Sequence, residues 1–389
     1  ESTFLQLFIK KLGGSSFIVG LIPSFFFVGI AVSAVLAGYL TSHMRYKKKA
    51  VIVTHALGSI PFIIFGGILF LRGSENLILV TFFSLYAVFS ISIGLLAPIW
   101  QNYLVKIFSE NKVFPALAVM MVTQSLAKIL SSFFLARIIY SYAFSLISSA
   151  VVFLLVGLFF LIGAFMFLPT REEPENEADL KKASSVVQHF TGSISRIVKN
   201  RNFLYFIISD FETVAVVAVI SFYANYATAF CNIKPSIAGG YFTAFIYAGG
   251  IVINIALGWF GLLKMKQKFI LSKLVSIAAV LLLILFSSTV VFLLASFLLG
   301  VSRSIRTLTF SPAVKRLSGK ADATDYFAAS MLLGLPISST LTLFCGKFLD
   351  VFRGLEAASF KIMFGGLGCI IAGSLYFIMR TDFSVKISE

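Results

Sequence analysis

Apolar residues run nearly unbroken for about 20 positions at a time, the length a helix needs to cross a bilayer, and most charges gather in the gaps. No run alternates polar and apolar as an outer-membrane strand does, so the pattern predicts an all-α membrane protein. The predicted spans are 16–41, 50–71, 77–104, 114–139 and 144–168, then 203–229, 236–262, 269–288, 290–314, 325–349 and 357–379. Before them, Ser2 to Ile9 is apolar but too short to cross.

The two sets of spans resemble one another. Adding 220 maps Ser16 onto Ser236, Gly20 onto Gly240, Phe25 onto Phe245, Gly29 onto Gly249, Gly38 onto Gly258 and Lys48 onto Lys268. Each copy is a long apolar run that ends in a short basic turn. The same offset places Glu1 on Ser221, whereas the matching span starts near Phe203. The expectation is therefore a first span that lacks roughly 18 residues here. The chain reads as a duplication of six spans.

Composition sharpens this picture. Hydrophobic residues are 59% and charged residues 12% of the chain, about half the charge of a soluble domain. A net charge of +16 would suggest nucleic acid in a soluble protein. Here it reads as basic loops on one face of a membrane, with no nucleic-acid partner. Cys231, Cys345 and Cys369 have neither metal spacing nor an even count, so they read as small apolar residues. The stretch 170–200 carries no span. Its second part sets Leu180, Ala183, Val187, Phe190, Ile194 and Ile197 at steps of three and four, which predicts an amphipathic helix on the membrane surface.

Orientation follows from the basic residues. Loops 43–49, 106–112, 169–201, 264–273 and 315–320, with the tail, hold 21 of the 32 lysines and arginines, and the other face holds eight. The positive-inside rule then places the linker and both termini in the cytoplasm and the chain in the inner membrane. The remaining three, Lys128, Arg303 and Arg306, lie within spans.

This layout resembles the major facilitator superfamily. The family's motif after the second span is approximated by Gly38-Tyr39-Leu40-Thr41-Ser42-His43-Met44-Arg45-Tyr46-Lys47-Lys48, with Ser42 at the family's aspartate, and weakly echoed after Gly258. The resemblance implies an N-terminal bundle over 1–168, a linker over 169–202 and a C-terminal bundle over 203–389. It also implies a conformational role for Gly38, Arg45, Lys47, Lys48 and Gly258, and places the seventh and tenth spans at a central cavity.

Charges within spans are candidates for function, because burying one costs several kcal/mol unless a partner or wet cavity meets it. Lys128 lies near mid-span. Arg303 and Arg306 share a helix face and suit a carboxylate or phosphate. Asp210 and Glu212 lie in the seventh span about 200° apart. Asp210 and Arg306 are about 10 and 12 Å from the same membrane face, so an Asp210–Arg306 or Asp210–Arg303 ion pair is expected. Gln101, Asn102, Gln124, Asn225, Tyr226 and Asn254 are uncharged candidates for binding or coupling. No nucleotide-binding loop, nucleophile–base pair or metal cluster is visible, so an enzyme is not expected, and no cofactor is assigned. The leading expectation is a monomeric secondary transporter for a small anionic or zwitterionic solute, working by alternating access with proton or sodium coupling. A drug or lipid exporter, or a non-transporting sensor on the same fold, are the alternatives.

Overall fold

The computed structural model describes residues 3–41, 46–71, 73–107, 110–142, 145–172, 197, 199–260, 262–319 and 324–384. The helices are α1 Thr3–Lys11, α2 Ser16–Thr41, α3 Lys48–Leu69, α4 Glu75–Ile107, α5 Glu110–Tyr142 and α6 Leu146–Phe165. The second set is α7 Arg201–Ser209, α8 Phe211–Phe230, α9 Phe242–Asn254, α10 Met265–Leu285, α11 Thr289–Ser318, α12 Thr324–Val351 and α13 Ala357–Arg380. π-helical turns, Ile237–Tyr241 and Ile255–Trp259, extend α9 at both ends. Eleven spans among the described residues are long and apolar enough to cross a membrane. They match the predicted eleven, α7 and α8 together making the seventh. The predicted linker helix falls on residues outside the described ones, apart from Ile197. That residue is buried with Phe203, Phe206 and Leu317.

Local chemistry sets the ends. Ser145 and Ser148 form a capping box at α6, and Ser288 accepts from Val291 N–H at α11. Gly319 closes α11 at φ 64°, where a side chain would be strained.

The chain groups into two compact units. One comprises residues 24–123 and 142–189. Within it α3 packs on α4 and α6, and Gly29 of α2 meets Ser90 and Gly94 of α4. At the start of α3, the Lys47 and Lys48 N–H groups donate to the Glu172 carboxylate at 2.7 and 2.8 Å. An acid at a helix N-terminus contributes about 0.3–1 kcal/mol. Lys48 Nζ also donates to the carbonyls of Leu168 and Thr170. Gly38 lies in α2 and Gly258 in the second π-turn, while Arg45 is outside the described residues.

The other unit comprises residues 1–23, 124–141 and 190–389. Its densest packing joins α9, α10 and α11. A Cβ on Gly300 would lie 1.9 Å from the Ile246 carbonyl, and one on Gly249 would lie 2.1 Å from that of Phe297. The pairs Gly29/Gly94 and Gly249/Gly300 thus bring the second span of each repeat against the fourth at backbone contact. In this unit the start of α2 also rests on the end of α12. Asp350 accepts from Ser16 and Phe17 N–H at 2.7 and 2.8 Å, and Gly20 and Gly346 leave no room for a Cβ.

A candidate solute and coupling site in the C-terminal bundle

The seventh span breaks at Asp210, which ends α7 and begins α8. An aspartate side chain competes with the helical ladder for local donors, and Thr213 Oγ1 donates to Asp210 Oδ1 at 3.2 Å. From α11, Arg306 Nε donates to Oδ1 at 3.1 Å and Nη2 to Oδ2 at 2.9 Å. The Asp210–Arg306 pair is therefore bidentate, the geometry in which a guanidinium binds a carboxylate most specifically. The side chains are 18% and 34% exposed, so the pair is half open to its surroundings. Arg306 also stacks over the Phe310 ring at 4.1 Å. Arg303 lies half-buried one turn away on the same helix.

Glu212 has the opposite setting. Its side chain and that of Lys273 are 4% and 1% exposed, and Lys273 Nζ donates to Glu212 Oε2 at 2.9 Å. The other carboxylate oxygen accepts from three hydroxyls: Ser272 at 2.8 Å, Ser276 at 2.7 Å and Ser302 at 2.9 Å. Helices α8, α10 and α11 thus meet at one fully bonded ionic centre, as a buried charge requires. Besides the buried Tyr223–Ser296 hydroxyl pair at 3.1 Å, two ties at the acids join the seventh span to α11 among the described residues. One is buried at Ser302 and the other half open at Arg306, one turn on.

Sequence reasoning missed Lys273, which it assigned to the loop 264–273. The KMKQK run reads as a loop, yet α10 begins at Met265. Lys273 then falls in the third turn, so the basic face holds 20 residues rather than 21. A partner for Glu212 could have been sought there, because Ser272 and Ser276 lie four apart on one face.

The other candidates are scattered. Lys128 is exposed, with Nζ 4.9 Å from the centre of the Tyr247 ring, and Gln124 is exposed. Gln101 and Asn102 lie in α4. Tyr226 is buried among Phe230, Phe292, Phe360 and Phe364. Asn225 is buried with both amide atoms lacking a hydrogen bond, and Asn254 leaves its Oδ1 unbonded. Among the described residues, no group of acidic, cysteine and histidine side chains could hold a metal.

The Major Facilitator Superfamily model matches residues 2–341. The chain belongs to that superfamily of membrane transporters. No curated protein matches it. Among solved structures it is similar to the nucleoside transporter NupG, with TM-score 0.69 and 12% identity over 97% of this chain and 94% of that one. It is similar too to a POT family transporter in complex with 5-aminolevulinic acid, with TM-score 0.67 and 14% identity over 95% and 89%. A bacterial homolog to the human lysosomal transporter Spinster, inward-facing and occupied, gives TM-score 0.61 and 14% identity over 99% and 94%. At such identities the likeness establishes the fold alone; the family match and the eleven apolar spans make the chain a multi-pass membrane protein.

Proposed function

We propose that the chain is a secondary transporter that carries a small anionic or zwitterionic solute by alternating access, coupled to an ion. The observation that carries this reading is the half-open, bidentate Asp210–Arg306 pair beside Arg303. A solute carboxylate or phosphate offers Arg306 the same two oxygens that Asp210 now supplies, and Arg303 adds a second cation. Binding then exchanges one carboxylate for another at little cost in charge. The amino acid-like ligand of the similar POT structure has this chemistry. The basic loops favour an inner-membrane protein with the linker and termini in the cytoplasm.

Thermal unfolding against a panel of carboxylates, phosphates, sugars and lipophilic cations tests the reading, because a ligand of the folded state raises the midpoint by mass action. A carboxylate or phosphate is expected to stabilise the wild type and to lose most of that effect in Arg306→Ala and Arg303→Ala. Stabilisation by sugars or lipophilic cations alone would remove the role given to the arginines.

A further inference from the structure

Beyond α13 the chain stays on its own bundle. Thr381 leaves the helix in an extended conformation, at φ −74° and ψ 127°. The next residue is tied to α7 twice: Asp382 N–H donates to Asn202 Oδ1 at 2.8 Å, and Asn202 Nδ2 donates to the Asp382 carbonyl at 2.7 Å. An amide side chain has one donor and one acceptor side by side, so it pairs with a peptide group as a neighbouring strand would. From α10, Lys266 Nζ donates to the Met379 carbonyl at 2.6 Å. All three bonds are exposed, so each can be exchanged for water at small cost.

These bonds steer Phe383 into the bundle, where it is 8% exposed. Its ring stacks on that of Phe269 at 5.9 Å, with 6° between the planes, and meets that of Phe206 edge-on at 6.2 Å and 86°. Both are arrangements that aromatic pairs favour. Each ring leads on to an ion pair. Lys273 Nζ, bonded to Glu212, lies 5.9 Å from the centre of the Phe269 ring. Phe206 lies 5.7 Å from Phe310, the ring under Arg306. Phe206 also stands one turn before Asp210.

The two acids differ in what holds them. Glu212 has four donors and is sealed by three helices. Asp210 has Thr213 and Arg306, and it ends a helix of nine residues. So short a helix has little stability by itself, and the place of α7 depends on what covers its apolar face of Phe203, Phe206 and Ile207. Phe383 covers part of that face at Phe206. The bonds and ring contacts of the tail go to α7 and α10, whereas Arg306 stands on α11. Loss of the tail therefore loosens the acid and leaves the guanidinium on its own helix and on Phe310.

We propose that residues 381–384 form a strap that holds Asp210 on Arg306, with Phe383 as the positioning residue. While the strap is docked, α7 is fixed at its break and Asp210 occupies both donors of the guanidinium. When the strap lifts, α7 moves at Asp210 and Arg306 is opened to another anion. The tail thus opposes solute binding by favouring the internal carboxylate. Only the identity of what Arg306 then binds rests on the transport reading; the strap does not.

The test needs no solute. The full chain in lipid nanodiscs is treated with phenylglyoxal, which modifies guanidinium groups, and the adducts on Arg306 and Arg303 are followed by mass spectrometry. Arg306 is expected to react at least threefold faster in Phe383→Ala, and likewise in Asn202→Ala, a surface change that releases the tail without opening the core. Asp210→Asn should give the same gain directly, and Phe383→Tyr, which keeps the ring, should react as wild type does. Arg303 serves as the reference and keeps its wild-type rate throughout. Unchanged Arg306 rates in both Phe383→Ala and Asn202→Ala would overturn the strap. So would equal gains at Arg303 and Arg306, the sign of general loosening. Failure of every acid to stabilise the protein would remove the anion reading and leave these rates as they are.

Discussion

At the scale of residues, two acids two positions apart in the seventh span have unlike surroundings. Asp210 sits at a helix break and shares a guanidinium near the surface of its unit, while Glu212 is sealed among three helices. Breaking a buried pair strands a charge, so Glu212→Ala or Lys273→Ala is expected to cost about 3–5 kcal/mol. The double variant Glu212→Leu/Lys273→Met should recover most of that. Denaturant unfolding in mixed micelles measures both, and a double variant no more stable than the singles would refute an ion pair as the source. The Asp210–Arg306 pair was legible in the sequence because both charges lie at matched depths within spans. Lys273 was not, because its charge is continuous with the basic turn of Lys264, Lys266 and Lys268. Only the position of the α10 start separates them.

Among the helices, glycine decides how closely neighbours approach. Gly300 and Gly249 bring α9 and α11 into backbone contact, so Gly300→Leu forces the helices apart at about 1–3 kcal/mol or more. Gly163, with open space around its Cα, should accept Ala without loss. Comparing the two midpoints checks this, and an equal loss in both would mean that the close contact at Gly300 is not what governs, since helix propensity alone favours both replacements. The repeat pairing of Gly29 with Gly249 was readable from the 220-residue offset. Their partners Gly94 and Gly300 were not, because which helix a glycine faces depends on packing that sequence spacing does not encode. The cap of Asp350 on the first turn of α2 joins residues 334 positions apart in sequence, and it was invisible for the same reason.

Over the whole molecule, the eleven spans and the duplicated plan were legible because bilayer thickness imposes a length that few soluble segments share. The solute was not, because a pair of arginines defines a chemical class rather than a compound. Orientation is open to direct test through Cys231, which follows α8 and which the proposed topology sets on the face opposite the basic loops. Burial pushes its thiol above the ordinary range, so little thiolate is present near neutrality. A membrane-impermeant maleimide added outside intact cells should label Cys231 slowly at pH 7 and several-fold faster at pH 9. Labelling only after the membrane is opened would invert the assigned topology.

The central claim is that the fold moves a solute across the membrane. The most direct measurement is uptake, into proteoliposomes, of whichever acid stabilises the purified protein, with and without an inward proton gradient. The account predicts uptake that the gradient accelerates and that Arg306→Ala abolishes. Tight, arginine-dependent binding with no uptake under any gradient would contradict it, and would make the chain a sensor on a transporter fold.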